Sequence, residues 1–255
     1  MSRPAATVAR FALVEALRSG LPWLAAAALL ATVGLAVFLA QVAIIEARAV
    51  QASVAATLLR ACAVFLVAAH VATSVAREAS DRVLELALAL PVPRSAYFLG
   101  KLGGFAAIGV LMALLYALPL LLWASPLEVA AWGVSLAAEC ALVAALALFF
   151  ASAIAQGVAA IACTAALYLL ARAIGAIQAI ASGPAAPEAA AGHAARWAVD
   201  AVALLLPRLD AVTRSDWLLY GTPGGAEFAR ALGGLAIYFV LLAAAGLFDF
   251  SRRNL

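Results

Sequence analysis

The sequence predicts an all-α protein that crosses a membrane six times, and three observations carry that prediction. The first is composition: 68% of the 255 residues are hydrophobic and only 11% are charged, against roughly 45–50% and about 25% in a soluble domain. The second is the mean hydropathy of +1.11, which excludes a soluble globular enzyme and a disordered chain alike. The third is the identity of the apolar residues, mostly Ala, Leu and Val. These suit helices, whereas a β-barrel reads as short alternating segments.

At roughly 20 apolar residues per crossing, the expected spans are 21–40, 54–74, 103–123, 129–151, 158–174 and 228–248. Residues 1–20 hold Arg3, Arg10 and Arg18 and lack the compact apolar core and small-residue cleavage site of a signal peptide. Residues 7–18 read as a helix before the first span, either lying along the inner leaflet or simply extending that span. Trp23, Trp123 and Trp132 fall at or near expected span ends, where indole rings favour the interface. In the long connection 175–227, the stretch 182–192 (SGPAAPEAAAG) reads as a flexible linker. A short surface helix is expected over 194–206, and 205–225, with Pro207, Asp210, Trp217 and Tyr220, reads as folded on the outer interface.

Basic residues set the orientation. With both termini inside, the inner side holds nine: Arg3, Arg10, Arg18, Arg77, Arg82, Arg94, Lys101, Arg252 and Arg253. The outer side holds seven: Arg48, Arg60, Arg172, Arg196, Arg208, Arg214 and Arg230. Five of those seven belong to the long connection or its edges, which constrains orientation less than short loops do. The short connections 77–101 and 124–128 decide for cytoplasmic termini, since the first carries four basic residues and the second none. A net charge of +3 spread between spans is no nucleic-acid footprint. Cys62, Cys140 and Cys163 sit inside apolar runs and read as small buried hydrophobes. His193, in the linker, reads as solvated.

Charge concentrates in REASDRVLELALALPVPRSAYFLGK, residues 77–101. Read as a helix, Glu78, Asp81 and Glu85 fall on one face, and Glu78 precedes Arg82 by the four residues that favour an ion pair. Pro91 and Pro93 then stop the helix. Such a charged helix under the membrane, ended by a rigid corner, is suited to seat in a groove of a soluble partner, or it is a solvated turn. Inside the spans, Glu139, Arg60 and His70 are the ionisable groups singled out. A charge at mid-membrane costs roughly 2.5–3.5 kcal/mol and so faces protein or water. Glu139 pairs with Arg60 or, alternatively, with His70, as a structural anchor between helices or as a residue of a substrate path.

The run from Glu78 to Lys101, E-x-x-D-x-x-x-E-L-x-L-x-L-P-V-P-R-S-x-Y-x-x-G-K, resembles the first cytoplasmic loop of ABC-2 type transporter permeases. Relatives read approximately E-x-x-x-G-T-L-E-L-L-L-S-L-P-[VI]-S-R-x-x-Y-x-x-G-K; Arg82-Val83 replaces their Gly-Thr. The chain length, the six expected spans with both ends inside, and the ending FDFSRRNL are similar too. The resemblance implies a six-span, type V exporter-like permease fold over the whole chain, in the inner membrane of a bacterium. It implies that the loop docks on an ATPase through Glu78, Asp81, Arg82, Glu85, Pro91, Pro93, Arg94, Tyr97 and Lys101. It also implies a second copy of the permease, and ATP and magnesium held by the partner rather than by this chain.

Enzymatic readings have little behind them. Gly100-Lys101 lacks the first glycine and the following Ser or Thr of a phosphate-binding loop. No His follows Gly133-Val134-Ser135 in a later span, and no H-E-x-x-H occurs. Two other functions stay open at this point: a membrane anchor that recruits a cytosolic protein through the same loop, and an ion-coupled transporter using Glu139.

Overall fold

A computed structural model of the chain describes residues 3–42, 46–81, 93–154, 156–182, 190–213, 215–218, 221–222 and 224–252. Most of these residues are helical, with no strand among the described residues. In order they are α1 (Arg3–Arg18), α2 (Leu21–Val42), α3 (Ala47–Ser80), α4 (Arg94–Ala117), α5 (Pro126–Ile154), α6 (Gly157–Ala181), α7 (Ala190–Leu205) and α8 (Gly225–Arg252). A tighter 3-10 turn, Leu118–Leu122, continues α4 through Pro119. A second such turn covers Ser215–Leu218. Among the described residues, six helices are long and apolar enough to span: α2, α3, α4 with its 3-10 turn, α5, α6 and α8. In hydrocarbon only a helix can satisfy its own backbone, and Ala and Leu are strong helix formers.

Local signals punctuate these helices. Ser19 closes α1 and opens α2: its Oγ donates to the Ala16 carbonyl (2.7 Å) and accepts from the Leu21 N–H (3.2 Å). At the start of α5 the Glu128 carboxylate accepts from the Ser125 N–H (3.0 Å), half of the reciprocal Ser-x-x-Glu cap. α3 overruns its expected span at both ends. Its 34 residues rise about 51 Å at 1.5 Å each, against roughly 30 Å of hydrocarbon. Glu78 therefore belongs to the last turn of a spanning helix, where a separate sub-membrane helix was expected.

The core forms around α5. Of its most apolar stretch 67% is buried, against 50% for α3, 17% for α2 and 11% for α8. α5 touches α3, α4, α6 and α8. Close helix approach relies on small residues, as it does between membrane helices generally. A Cβ on Gly109 of α4 would stand 2.9 Å from the Cys140 Cβ of α5. Trp132 corrects the reading of it as an interfacial anchor, for it is fully buried on α5, whereas Trp23 is 81% exposed. Trp217 is buried too, edge-on to Phe228 with ring centroids 5.4 Å apart. It lies within the bundle's end, where a surface segment was expected. Leu206, Leu209 and Val212 are buried beside it in sequence.

α1 is not a helix lying free along the leaflet: after a bend at Ser19 and Gly20 it extends α2 along α4, where Ala5 faces Gly100, Ala9 and Ala12 face Gly104, and Ala25 of α2 accepts from Tyr116. It packs on α4 through Ala5, Ala9, Ala12 and Ala16, an i, i+4, i+7, i+11 stripe. A Cβ on Gly100 would meet the Ala5 carbonyl at 2.6 Å, and one on Gly104 the Ala9 carbonyl at 2.8 Å. Gly104→Leu is expected to prise α1 from α4 at a cost of about 1–3 kcal/mol. Limited proteolysis of the purified chain checks this, since cleavage within α1 should accelerate.

Candidate functional site: two buried charge clusters and the loop between α3 and α4

The first cluster lies in the middle of the spans. Glu139 is the fourteenth residue of α5 and Arg60 the fourteenth of α3, each about 20 Å from its helix start by the helical rise. Both are fully buried, with Arg60 Nη1 2.5 Å from Glu139 Oε2. Arg60 Nη2 donates to Ser135 Oγ (2.9 Å), and Ser135 in turn donates to the Trp132 carbonyl (2.7 Å). The guanidinium stands over the Trp132 ring, 5.1 Å from its centroid. Trp132, Ser135 and Glu139 recur at i, i+3 and i+7, so one face of α5 meets Arg60.

The second oxygen of Glu139 is engaged as well. Tyr168 of α6 donates its hydroxyl to Oε1 at 2.7 Å. Arg172, one turn further along α6, donates to the Tyr168 oxygen (3.0 Å) and stands 3.7 Å from Oε1. One carboxylate thus ties α3, α5 and α6 together and serves two arginines. Sequence reading found Arg60 and Glu139 and missed Ser135, Trp132, Tyr168 and Arg172. The Tyr-x-x-x-Arg spacing inside span five was the available signal. Arg60 and Arg172, both counted among the outer loop charges, are in fact cluster members. His70 does not pair with Glu139. It lies ten residues from Arg60, about 15 Å along α3, and meets Phe105 edge-on with centroids 6.1 Å apart. Its Nε2 is buried with no hydrogen-bond partner among the described residues.

The second cluster pins the two roots of the loop together. Glu78 of α3 forms an ion pair with Lys101 of α4, with side chains 14% and 5% exposed. Tyr97 donates to the other Glu78 oxygen at 2.9 Å. Lys101 also faces the Phe105 ring at 5.4 Å. Glu15 of α1 accepts from Ser74 (3.0 Å) and Arg77 (3.1 Å) of α3. The end of α8 joins in: Phe250 stacks on Tyr97 at 6.0 Å, and Arg94 Nη1 donates to the Ser251 carbonyl (3.4 Å). Pro93 caps α4 in an extended conformation. Of the residues expected to face a partner, Glu78, Tyr97 and Lys101 are turned inward to one another, and Asp81 is exposed at the end of α3. Arg82, Glu85 and Pro91 lie outside the described residues, as do the His193 side chain and the last three residues of the chain.

At the opposite end, a cavity of about 770 Å³ opens between α6, α7 and α8, with Gln178, Asp200, Arg208, Glu227, Arg230 and Tyr238 in its lining. The helix expected over 194–206 is α7, which forms one wall of this cavity through Asp200 and Leu204.

Comparison with known proteins adds one match. A family model described as ABC-2 family transporter protein matches residues 31–248, from the middle of α2 to near the end of α8. No curated protein matches the chain.

Proposed function

The chain belongs to the ABC-2 transporter family and is a permease of an ABC transporter, with six helices able to cross a membrane; from that premise we propose that it exports its substrate across the inner membrane, driven by a separate ATPase docked on the loop between α3 and α4. The observation that carries the docking reading is the construction of the loop's roots. Glu78, Lys101 and Tyr97 lock the end of α3 to the start of α4, and Glu15–Arg77 and Phe250–Tyr97 fasten α1 and α8 to the same block. A push on the loop then moves several helices together. Asp81 stays exposed at the loop's base, with Glu85 and Arg82 following in sequence. Asp81, Glu85, Arg82 and Arg94 make the docking contacts in this reading, and Pro91 and Pro93 stiffen the corner.

The orientation rule supports cytoplasmic termini more strongly once side chains are placed. With Arg60 and Arg172 withdrawn into the spans, nine basic residues on the loop side face five on the other. The whole chain forms one permease domain, and two copies with two ATPases complete the transporter. ATP and magnesium bind the partner. Closure of the ATPases tilts α3 and α4, and it favours one state of the permease because ATP binds that state better.

Reversal of two charges, Asp81→Lys with Glu85→Lys, tests the reading. The variant is expected to insert and fold normally, to lose the copurifying ATPase, and to lose ATP-dependent transport in vesicles by more than tenfold. Retained ATPase and transport would contradict docking through this loop. An anchor that merely recruits a partner would bind the ATPase without ATP-dependent transport. The ion-coupled reading is weakened by Glu139 itself, both of whose oxygens are already engaged by Arg60 and Tyr168.

A further inference from the structure

α6 and α8 both pack on α5, and the groove between them holds two adjoining cavities. The outer one, of about 770 Å³, has the size of a small-molecule site, roughly 300–1,000 Å³. The deeper one, of about 280 Å³, is apolar, with Leu142 and Leu146 of α5, Leu167 of α6 and Leu242 of α8 in its wall. Leu206 and Tyr238 line both. The Tyr238 hydroxyl donates to the Leu204 carbonyl (3.0 Å), which holds the end of α7 to α8. One stripe of α8 runs through the pair: Glu227, Arg230, Gly234 and Tyr238 line the outer cavity, and Tyr238 and Leu242 the deeper one. From Glu227 to Leu242 the helix rises about 22 Å. That is the depth of one leaflet with its headgroups, half of the roughly 40–45 Å of a bilayer. Over this length the lining passes from charged to apolar.

The charges are ordered by depth. Glu227 lies in the first turn of α8, at its outer end, and Arg230 one turn further in. α7 descends along α6, since Arg196 donates to the Ala181 carbonyl (2.7 Å) and Gln178 to Asp200 (2.9 Å). Arg208 follows at the bottom of that descent, between Leu206 and Leu209 of the deeper cavity. Asp200, Arg208, Glu227 and Arg230 thus line one cavity, two of each sign, and none of the four forms an ion pair among the described residues. A charge at membrane depth calls for a counter-charge or water. A ligand of one sign would be repelled by half of this lining. A zwitterion with its cation outermost and its anion next to an apolar chain matches it, and phosphatidylethanolamine has that order. We infer that the two cavities form one binding site for this lipid. Its phosphate lies on Arg230 and Arg208, whose planar forks suit phosphate oxygens. Its ammonium lies toward Glu227 and Asp200, and one acyl chain passes Leu206 and Tyr238 into the deeper cavity. The inference goes beyond the transport reading and does not depend on which partner drives transport.

Two measurements on the full-length chain test it. In micelles offering phosphatidylethanolamine, phosphatidylcholine and phosphatidylglycerol in equal amounts, native mass spectrometry should show preferential retention of phosphatidylethanolamine. Arg208→Gln with Arg230→Gln should lower that retention on the order of tenfold. A Cβ on Gly234 would meet nothing within 4 Å, so Gly234→Phe plugs the outer cavity without forcing α8 aside and should lower retention as much. Gly233, equally free of neighbours and outside the lining, supplies the control: Gly233→Phe should leave retention unchanged. Glycerophosphoethanolamine, the same headgroup without chains, should not displace the lipid at equal concentration. Equal retention of the three lipids, a preference for phosphatidylglycerol, retention untouched by the plug, or displacement by the chainless headgroup would overturn the inference. The second measurement needs no variant to fold. Phosphatidylethanolamine carrying a photoreactive diazirine at the end of one acyl chain, activated in bilayers holding the native chain, should label peptides containing Leu142–Leu146 or Leu242. Labelling confined to the lipid-exposed helices elsewhere would equally overturn it.

Discussion

Glu139→Gln is expected to destabilise the protein more than Arg60→Met does, although the two residues form one ion pair. The asymmetry comes from what each substitution leaves behind. Without the Glu139 carboxylate, the fully buried Arg60 and its neighbour Arg172 have lost the anion they share. An uncompensated buried charge costs roughly 3–5 kcal/mol, a large part of a typical folding free energy. Without Arg60, Glu139 keeps the Tyr168 hydroxyl at 2.7 Å and Arg172 at 3.7 Å. Its charge stays balanced, and the loss is smaller. The double variant Arg60→Met with Glu139→Gln should recover part of the loss, because the two effects share one interaction. Unfolding of the purified chain in micelles, followed for all three variants, checks the order. A Glu139→Gln protein that melts like the native chain but no longer transports would instead place this carboxylate in the substrate path.

The second large effect is expected at the roots of the loop. Glu78→Gln leaves the Lys101 ammonium, only 5% exposed, without its ion-pair partner between the Tyr97 and Phe105 rings. The cost is about 3–5 kcal/mol by the same reasoning. Lys101→Met is cheaper, since Glu78 retains the Tyr97 hydroxyl and some access to water. Glu78→Gln combined with Lys101→Met removes both charges and should restore most of the stability. Coupling separates this pair from an ordinary structural contact. If it transmits the loop's motion, the stable double variant should still bind the ATPase yet transport less per ATP hydrolysed. Unchanged transport per ATP would make the pair purely structural.

Much of the fold was legible in the sequence because its main signal, the length of apolar runs, is set by bilayer thickness. Each of the six expected spans lies almost wholly within one of the six membrane-length helices. Helix ends were not legible: α3 runs from Ala47 to Ser80 where 54–74 was expected. Charged residues are no bar to a helix that continues past the hydrocarbon, so Arg48, Arg77 and Glu78 did not end it. Which face of a span turns inward was equally hidden. In a chain of Ala, Leu and Val, the buried and lipid-facing sides share one chemistry, so no periodicity marks them. Trp132 shows the consequence. A tryptophan near a span end reads as an interfacial anchor, yet here it roofs a buried arginine. Arg172 shows it again, since a basic residue near a span end counts as a loop charge until Tyr168 and Glu139 are seen beside it. For α1, the alanine spacing was present in the sequence, but its partner glycines at 100 and 104 lie some ninety residues away.

The proposed transport role is tested most directly by purifying the native chain from membranes of its own cells and reconstituting whatever accompanies it into vesicles. The account predicts a nucleotide-hydrolysing partner that stays bound, vesicle transport that requires ATP, and loss of both when Asp81 and Glu85 are changed to lysine. A chain that comes through purification without any ATPase, and transports undiminished in vesicles free of ATP, would contradict it.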